Sequence, residues 1–257
     1  MKKIVAIIGS PRKGETLQAV ERLEREMQKH GEVQFEIVML SQVALRDCTG
    51  CHNCILKGRE TCREAEKVKA LFDKMAAADA VVLASPVYNQ GVTAIMKKFL
   101  DYFTYLWHRP ALFGVKFFGV SSGGGMFKGT FQTMKENVAS WGGTWLGELG
   151  VPHYEALTDK FRAKADKTAV KKAAQFWAAL QDSHLPRPTL GRLMSFRMWR
   201  MNAVFNEADK AHWAGNGWLD KKCRYYYEAK INPLANGLAA LLMGVARLVM
   251  RGIYVGY

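Results

Sequence analysis

The sequence predicts an α/β fold built on a parallel sheet, and two observations support this prediction. Five short apolar stretches alternate with five helical segments over residues 1–184. Strands that alternate with helices form parallel sheets joined by right-handed crossovers. The residues with recognisable chemistry also fall in loops that follow strands, and ligands of such sheets bind beyond the carboxyl ends of the strands.

The first strand is a continuous apolar run, which is typical of a strand buried on both faces. Helices are predicted where apolar residues recur at three- and four-residue spacing, and in segments that lie between two predicted strands. We expect loops 9–16, 47–63, 85–91 and 121–130 to converge on one crevice. Strands are expected at 3–9, 34–40, 80–85, 115–121 and 143–149, and helices at 15–30, 64–78, 93–103, 127–140 and 159–181.

The composition is that of a globular protein, with 49% hydrophobic and 23% charged residues. It excludes disordered, collagen-like and low-complexity chains. No apolar stretch reaches the roughly eighteen residues of a membrane span, so no membrane-spanning segment is expected. The apolar run at 4–8 is too short for a signal peptide and no cleavage site follows it, so a cytoplasmic protein is expected.

The net charge of +14 is unevenly distributed, because residues 185–257 contain 11 Lys and Arg against 4 Asp and Glu. Such a balance favours anionic partners. Pro186-Arg187-Pro188 marks a boundary. We expect a domain at 1–184, with a cysteine loop at 47–63, and a basic, aromatic, helical extension at 185–257.

The segment Gly9-Ser10-Pro11-Arg12-Lys13-Gly14-Glu15-Thr16 joins the first strand to the first helix. It is neither the Rossmann fingerprint nor a Walker loop. It does offer two hydroxyls, two cations and the free N–H groups of a helix start, which together suit a monophosphate. The candidate residues are Ser10, Arg12, Lys13 and Thr16. The alternative is an ordinary turn with a solvated Arg-Lys pair.

Four of the five cysteines, Cys48, Cys51, Cys54 and Cys62, lie within fifteen residues. In a chain without an export signal this clustering favours metal or redox chemistry over a disulfide scaffold. Thiolates at this spacing can surround one metal centre. The alternatives are a structural zinc site, free or disulfide-linked thiols, and small buried hydrophobic residues.

The segments GSPRKGET and ASPVYNQGVTAIMKKFLDY, with the cysteine cluster between them, resemble the flavodoxin-like NAD(P)H-dependent FMN reductases, and especially their iron–sulfur flavoprotein branch. The resemblance covers about residues 1–180. It implies a flavodoxin-like sheet of order 2-1-3-4-5, one FMN, and assembly into homo-dimers or tetramers. The family commonly has Asn where this chain has Glu15, which is a departure from its phosphate loop.

The same resemblance implies two further flavin loops. The second loop of the family usually has an aromatic residue where this chain has Asn89. Its candidate flavin contacts are Pro86, Val87, Tyr88 and Asn89, and those of the third, Gly-rich loop are Ser121, Gly123 and Gly124. The resemblance also implies a [4Fe–4S] cluster on the four clustered cysteines.

The C-terminal extension contains two apolar segments. Residues 190–205 suggest a basic amphipathic helix, and the aromatic stretch at 212–218 suggests a loop that covers a flavin or substrate. A second helix is expected over 234–249, with Tyr254 and Tyr257 beyond it. Residues 234–255 suit either a membrane interface or an oligomer contact. Nucleic-acid binding is not favoured because no recognised motif accompanies the basic residues.

These observations predict an FMN- and [4Fe–4S]-containing oxidoreductase that links a two-electron flavin to a one-electron partner such as ferredoxin. No protein group is expected to act as a catalytic acid, base or nucleophile. One alternative is a cluster-free NAD(P)H-dependent FMN or quinone reductase. A second is a non-catalytic flavin redox sensor whose tail docks on a membrane or partner.

Overall fold

A computed structural model describes residues 1–253 of the chain. The contacts divide the chain into two compact units. The first comprises Met1–Cys51 and Cys62–His184, and the second comprises His52–Thr61 and the chain from Leu185 onward. The middle of the cysteine loop therefore belongs to the second unit, although the sequence analysis placed it with the first.

The first unit contains one five-stranded sheet in which all neighbouring strands are parallel, in the order β2-β1-β3-β4-β5. The predicted flavodoxin-like fold class and strand order are therefore confirmed. The strands are β1 (Lys2–Ile8), β2 (Val33–Met39), β3 (Ala80–Pro86), β4 (Lys116–Gly123) and β5 (Thr144–Pro152).

The helices of the first unit cover both faces of the sheet. The longer ones begin and end within two residues of the predicted bounds, because their apolar spacing follows the buried face. They are α1 (Glu15–Gln28), α4 (Ala65–Ala77), α5 (Ala94–Tyr102), α7 (Lys128–Ser140) and α8 (Asp159–Gln181), with the short α2 (Leu40–Val43) and α6 (Tyr105–His108).

Each face of the sheet buries its own apolar layer. On one face α1 and α8 pack over β1, β3 and β4, and Phe118 of β4 stacks on Phe176 of α8 with ring centroids 4.5 Å apart. The other face carries an aromatic group around Trp141, which contacts Phe99, Phe103 and Phe117. Burial on both sides fixes the strand ends, and hence the loops at the carboxyl edge.

The second unit is helical, with an aromatic core. Its helices are α3 (Asn53–Leu56), α9 (Leu190–Asn202), α10 (Glu207–Gly215) and α11 (Pro233–Arg251), and α3 packs against α10. The prediction of a loop over 212–218 is wrong for its first half, since Asn206 caps α10 and the helix continues through Gly215. Trp213 is fully buried and contacts Phe196, Trp218 and Tyr226, so this ring fills the core of the second unit rather than covering a ligand.

Helix α11 is longer than the sequence analysis allowed. Asn232 caps it, and it continues past the charge-free stretch through Arg247 to Arg251. It has 19 residues and a mean hydropathy of 1.6, and only 6% of its most apolar stretch is buried. By length and composition this helix could cross a membrane, which corrects the expectation that no segment could. Tyr254, Val255 and Tyr257 lie outside the described residues.

Candidate functional site

The first part of the candidate site is the start of α1, directly after β1. Gly14 stands at the N-cap, and within residues 1–253 no side chain caps this helix. The N–H groups of its first turn therefore remain available to an anion. Ser10 is buried, and its hydroxyl donates to the carbonyl oxygen of Arg12 at 2.7 Å, which holds the loop in a tight turn.

Two of the four predicted phosphate residues are exposed to solvent, and the other two, Ser10 and Thr16, are buried. The side chains of Arg12 and Lys13 are exposed, as a pair of cations at the helix start. The Thr16 hydroxyl is buried and lies 2.7 Å from the hydroxyl of Ser122. Thr16 thus links the first loop to the end of β4, a structural role in addition to the predicted one.

The carboxylate of Glu15 forms a hydrogen bond with His153. Glu15 Oε2 lies 2.8 Å from His153 Nδ1. This contact gives a defined position to the carboxylate that stands where the family commonly has Asn. Sequence reasoning missed His153, since it considered only the loops after the first four strands and His153 follows β5.

The loop after β3 is a tight turn that presents an aromatic ring. Tyr88 and Gly91 exchange two backbone hydrogen bonds of 3.0 Å, while Asn89 and Gln90 have φ values of +47° and +65°. Positive φ at both central positions is the type I′ turn, in which Asn is favoured. Asn89 therefore suits this position because asparagine tolerates a positive φ. The Tyr88 side chain is 49% exposed.

Helix α7 holds this turn from the side. The Thr130 hydroxyl donates to the Gly91 carbonyl at 2.9 Å. A Cβ on Gly129 would lie 2.1 Å from the Gln90 carbonyl oxygen, so only glycine permits this approach. Sequence reasoning missed both residues. The sequence signal that could have identified Gly129 is its place in the first turn of a helix, where glycine lowers helix stability unless a close contact requires it.

The loop after β4 joins the other two. The Val87 N–H donates to the Ser122 carbonyl at 2.8 Å, and the Ser121 hydroxyl donates to the Ser85 carbonyl at 2.9 Å. Gly123 has a φ of +148°, and a Cβ there would meet the Val87 side chain at 3.3 Å. Ser121 therefore acts as a structural link between two strand ends.

The predicted loops of β1, β3 and β4 are therefore brought together by direct hydrogen bonds. Gly124 lies beside His153, whose N–H donates to the Gly123 carbonyl at 2.9 Å. The result is an open helix start with two cations next to a turn that presents an exposed aromatic ring. A phosphate with a planar ring attached fits this combination, because the charge meets N–H donors and the planar ring meets an aromatic side chain.

The cysteine loop is closed at its base by charged side chains. The Arg46 guanidinium pairs with the Glu64 carboxylate, which is nearly buried, and this contact lowers the pKa of Glu64. Lys98 lies 2.7 Å from Asp47 and lowers the pKa of that carboxyl. A hydrogen bond with Tyr102 raises the pKa of Arg63. These pairs hold the two ends of the loop in place.

The four predicted ligands form no disulfide in the described part of the chain, and their side chains do not form a coordination shell. Cys48 and Cys51 are exposed, and Cys54 and Cys62 are partly buried. Among residues 1–253, no three His, Cys, Asp or Glu side chains lie close enough together to hold a metal ion. The donor chemistry suits an iron–sulfur centre, whereas the described side-chain positions do not enclose one.

A family model for the NADPH-dependent FMN reductases matches residues 2–155, which is more than half of the chain. This chain belongs to the NADPH-dependent FMN reductase family. It is therefore a member of a family of flavin-dependent oxidoreductases, and the predicted family is confirmed. The three joined loops all lie inside the matched segment.

Curated relatives from archaea support the same branch of the family. An iron–sulfur flavoprotein of Archaeoglobus fulgidus is 39% identical over 113 residues, or 44% of this chain and 50% of that protein. An iron–sulfur flavoprotein of Methanosarcina thermophila is 26% identical over 54% of this chain and 72% of that protein. The chain thus spans about half the length of the first of these relatives.

A solved structure shows the same fold. The apo crystal structure of an NADH:FMN oxidoreductase (EMOB) superposes with a TM-score of 0.52 and is 22% identical, covering 73% of this chain and 98% of that one. At this identity the likeness concerns the fold alone. It agrees with the doubly wound sheet of the FMN reductase family.

Proposed function

We propose that this protein is an FMN-dependent oxidoreductase that also carries a [4Fe–4S] cluster and passes electrons to or from a one-electron partner such as ferredoxin. The observation that supports the flavin site is the group of three hydrogen-bonded loops at the carboxyl edge of the sheet. In this proposal the protein works as a homo-oligomer.

The residues of the first unit would bind and orient the flavin. The α1 start, with Arg12 and Lys13, would hold the phosphate, and the turn at Tyr88–Gly91 would lie against the ring. Bound FMN supplies both one- and two-electron chemistry. The chain need only fix the position of the ring, which agrees with the absence of a predicted catalytic acid or base.

The cysteine loop would hold the cluster on Cys48, Cys51, Cys54 and Cys62. An iron–sulfur cluster exchanges single electrons and is held by four thiolates. Metal sites commonly complete their shell only on binding, because the binding energy gathers the ligands. The closed base of the loop, at Arg46 and Glu64, limits the chain entropy that gathering would cost.

A second candidate is a cluster-free NAD(P)H-dependent FMN or quinone reductase. It is favoured by the spacing of the thiol side chains, which do not enclose a metal in the described part of the chain. The flavin site would be the same. A nicotinamide would then supply the electrons directly and a diffusible molecule would accept them.

The deciding experiment measures iron, acid-labile sulfide and zinc per FMN in protein purified without oxygen. We expect about four iron and four sulfide per flavin. Cys54→Ser should abolish the iron and the visible absorption of the cluster and leave FMN content unchanged. Cys223→Ser is the matched control, because Cys223 lies outside the loop and donates to the Tyr225 carbonyl.

Other metal contents would each support a different function. FMN without iron would contradict the cluster and favour the cluster-free reductase. Zinc in place of iron would make the loop a structural clip. Bound flavin without turnover, using either a pyridine nucleotide or reduced ferredoxin, would contradict the oxidoreductase proposal and indicate a redox sensor.

A further inference from the structure

The second unit carries an exposed apolar arc along α11. At 100° per residue, seven of its apolar side chains fall within an arc of about 120°. All seven are exposed: Leu234, Leu238, Leu241, Leu242, Val245, Leu248 and Val249. Ile253, just beyond the helix, is 65% exposed. An arc of this size is unusual for a surface that faces only water.

The opposite side of α11 packs on α9. Ala239 is fully buried there, and Arg197 Nη2 donates to Asn236 Oδ1 at 2.7 Å. The contact between α11 and α9 therefore includes the small side chain of Ala239 and the hydrogen bond from Arg197. The apolar arc of α11 is directed away from this contact.

A groove of about 610 Å³ lies between α9 and α11, and it is cationic. Its charged lining is Arg197, Arg200, Lys221 and Arg247, and no acidic side chain lines it within the described residues. Its walls are otherwise apolar, with Met201 and Met243 among them. The Nε of Arg197 is buried and has no hydrogen-bond partner within residues 1–253.

We propose that the second unit docks on a membrane rich in anionic phospholipid, with α11 lying in the plane of the interface and a lipid phosphate in the groove beside it. The apolar arc would enter the acyl boundary, and the groove cations would meet the headgroups. This proposal goes beyond the flavin chemistry and does not depend on it.

The positions of the charged side chains favour an anionic membrane surface over a second copy of this chain and over a helix that crosses the membrane. A two-fold pairing of two apolar arcs would leave the groove cations on the outer sides of the pair, without the anionic partner that they suit. An anionic lipid surface complements them. Arg247 is the groove cation that belongs to α11, and a helix that crossed the membrane would carry it into the hydrocarbon, where charge is costly. An in-plane position keeps the groove cations at the headgroups.

The test is vesicle flotation of the full-length, FMN-loaded protein. Vesicles of phosphatidylcholine alone are compared with vesicles containing phosphatidylglycerol, at low and high salt. We expect flotation with the anionic vesicles, and weaker flotation as salt rises. Leu241→Glu, midway along the length of the arc, should weaken the partition into the membrane by about 100-fold.

Two further variants separate the parts of the proposal. Val170→Glu is the matched control, because Val170 is similarly exposed on α8 of the first unit, and it should float as the unchanged protein does. Lys221→Gln combined with Arg247→Gln should weaken binding to anionic vesicles by about 25-fold. Circular dichroism and FMN content confirm that each variant is folded.

Three outcomes would overturn the proposal. The first is failure of the unchanged protein to float with anionic vesicles at low salt. The second is equal flotation of Leu241→Glu. The third is an oligomer, measured by light scattering without lipid, that Leu241→Glu dissociates and Val170→Glu does not. That result would make the arc an interface between copies of this chain.

Discussion

Arg12 has its charged end in solvent beside a helix start that no side chain caps in the described structure. A phosphate there would receive a charge-assisted hydrogen bond from the guanidinium in addition to the N–H groups. We expect Arg12→Gln to raise the FMN dissociation constant by about 10- to 50-fold. Fluorescence titration of the apoprotein measures it.

Riboflavin supplies the contrast for this prediction, because it lacks the phosphate. Arg12→Gln should leave riboflavin affinity unchanged. Arg25→Gln, an exposed arginine near the far end of the same helix, should change neither affinity. An equal loss for both flavins would indicate that Arg12 supports the loop and does not contact the phosphate.

At the scale of the element, the turn from Tyr88 to Gly91 depends on its backbone. Asn89 has a φ of +47°, where a β-branched side chain is strained. Asn89→Val should lower the free energy of unfolding by about 1–2 kcal/mol, and Asn89→Gly should change it by less than about 0.5 kcal/mol. Urea denaturation measures both. Equal effects of the two variants would contradict the backbone explanation.

A second prediction concerns Asp79, which lies just before β3 and accepts hydrogen bonds from the start of β1. Burial alone would raise the pKa of Asp79, but hydrogen bonds from Lys2 Nζ at 2.9 Å and the Lys3 N–H at 2.8 Å outweigh it and lower that pKa from its ordinary 3.8. The ionised carboxylate therefore stabilises the fold above pH 3.8, and this stabilisation disappears as the pH falls through the depressed pKa.

The variant Asp79→Asn tests this linkage. Asp79 is about one-third exposed, so solvent screening limits the loss to about 1 kcal/mol at pH 7. The difference from the unchanged protein, measured by urea denaturation, should shrink as the pH falls below 3.8 and through the depressed pKa of Asp79. Asp73→Asn, whose carboxylate pairs with Lys69 at the exposed surface, is the control. A difference that persists in acid would contradict the role of the charge.

The sheet could be predicted because its strands are buried on both faces and their apolar runs are continuous. The loop contacts could not, because they depend on distant residues. The Thr130 hydroxyl reaches Gly91 across 39 positions, and His153 reaches Glu15 across 138. The α10 prediction failed because the buried indole of Trp213 occupies a helix face, and aromatic residues alone do not distinguish helix from loop.

At the scale of the whole molecule, each unit is stabilised by its own core. Trp213 is fully buried at the centre of the second unit, so Trp213→Ala should cost about 3–5 kcal/mol there. Because α3 packs on α10, the Cys54 thiol should then react faster with a thiol reagent. FMN affinity should not change, since the flavin loops belong to the first unit.

The half-exposed Trp107 of the first unit is the control for this prediction. Trp107→Ala should leave the reaction rate of Cys54 unchanged. A faster reaction in both variants would mean that the thiol responds to general loosening of the protein and not to the core of the second unit.

The assignment of His52–Thr61 to the second unit has a consequence for how the chain can be divided. The polypeptide enters that unit, returns to the first, and enters it again after residue 184. A protease that cut once near Pro186 would produce two fragments, but the N-terminal fragment would still contain ten residues of the other unit's fold. We expect the two fragments to remain associated without a covalent link. For the same reason, neither unit can be transferred to another protein as one continuous segment of sequence.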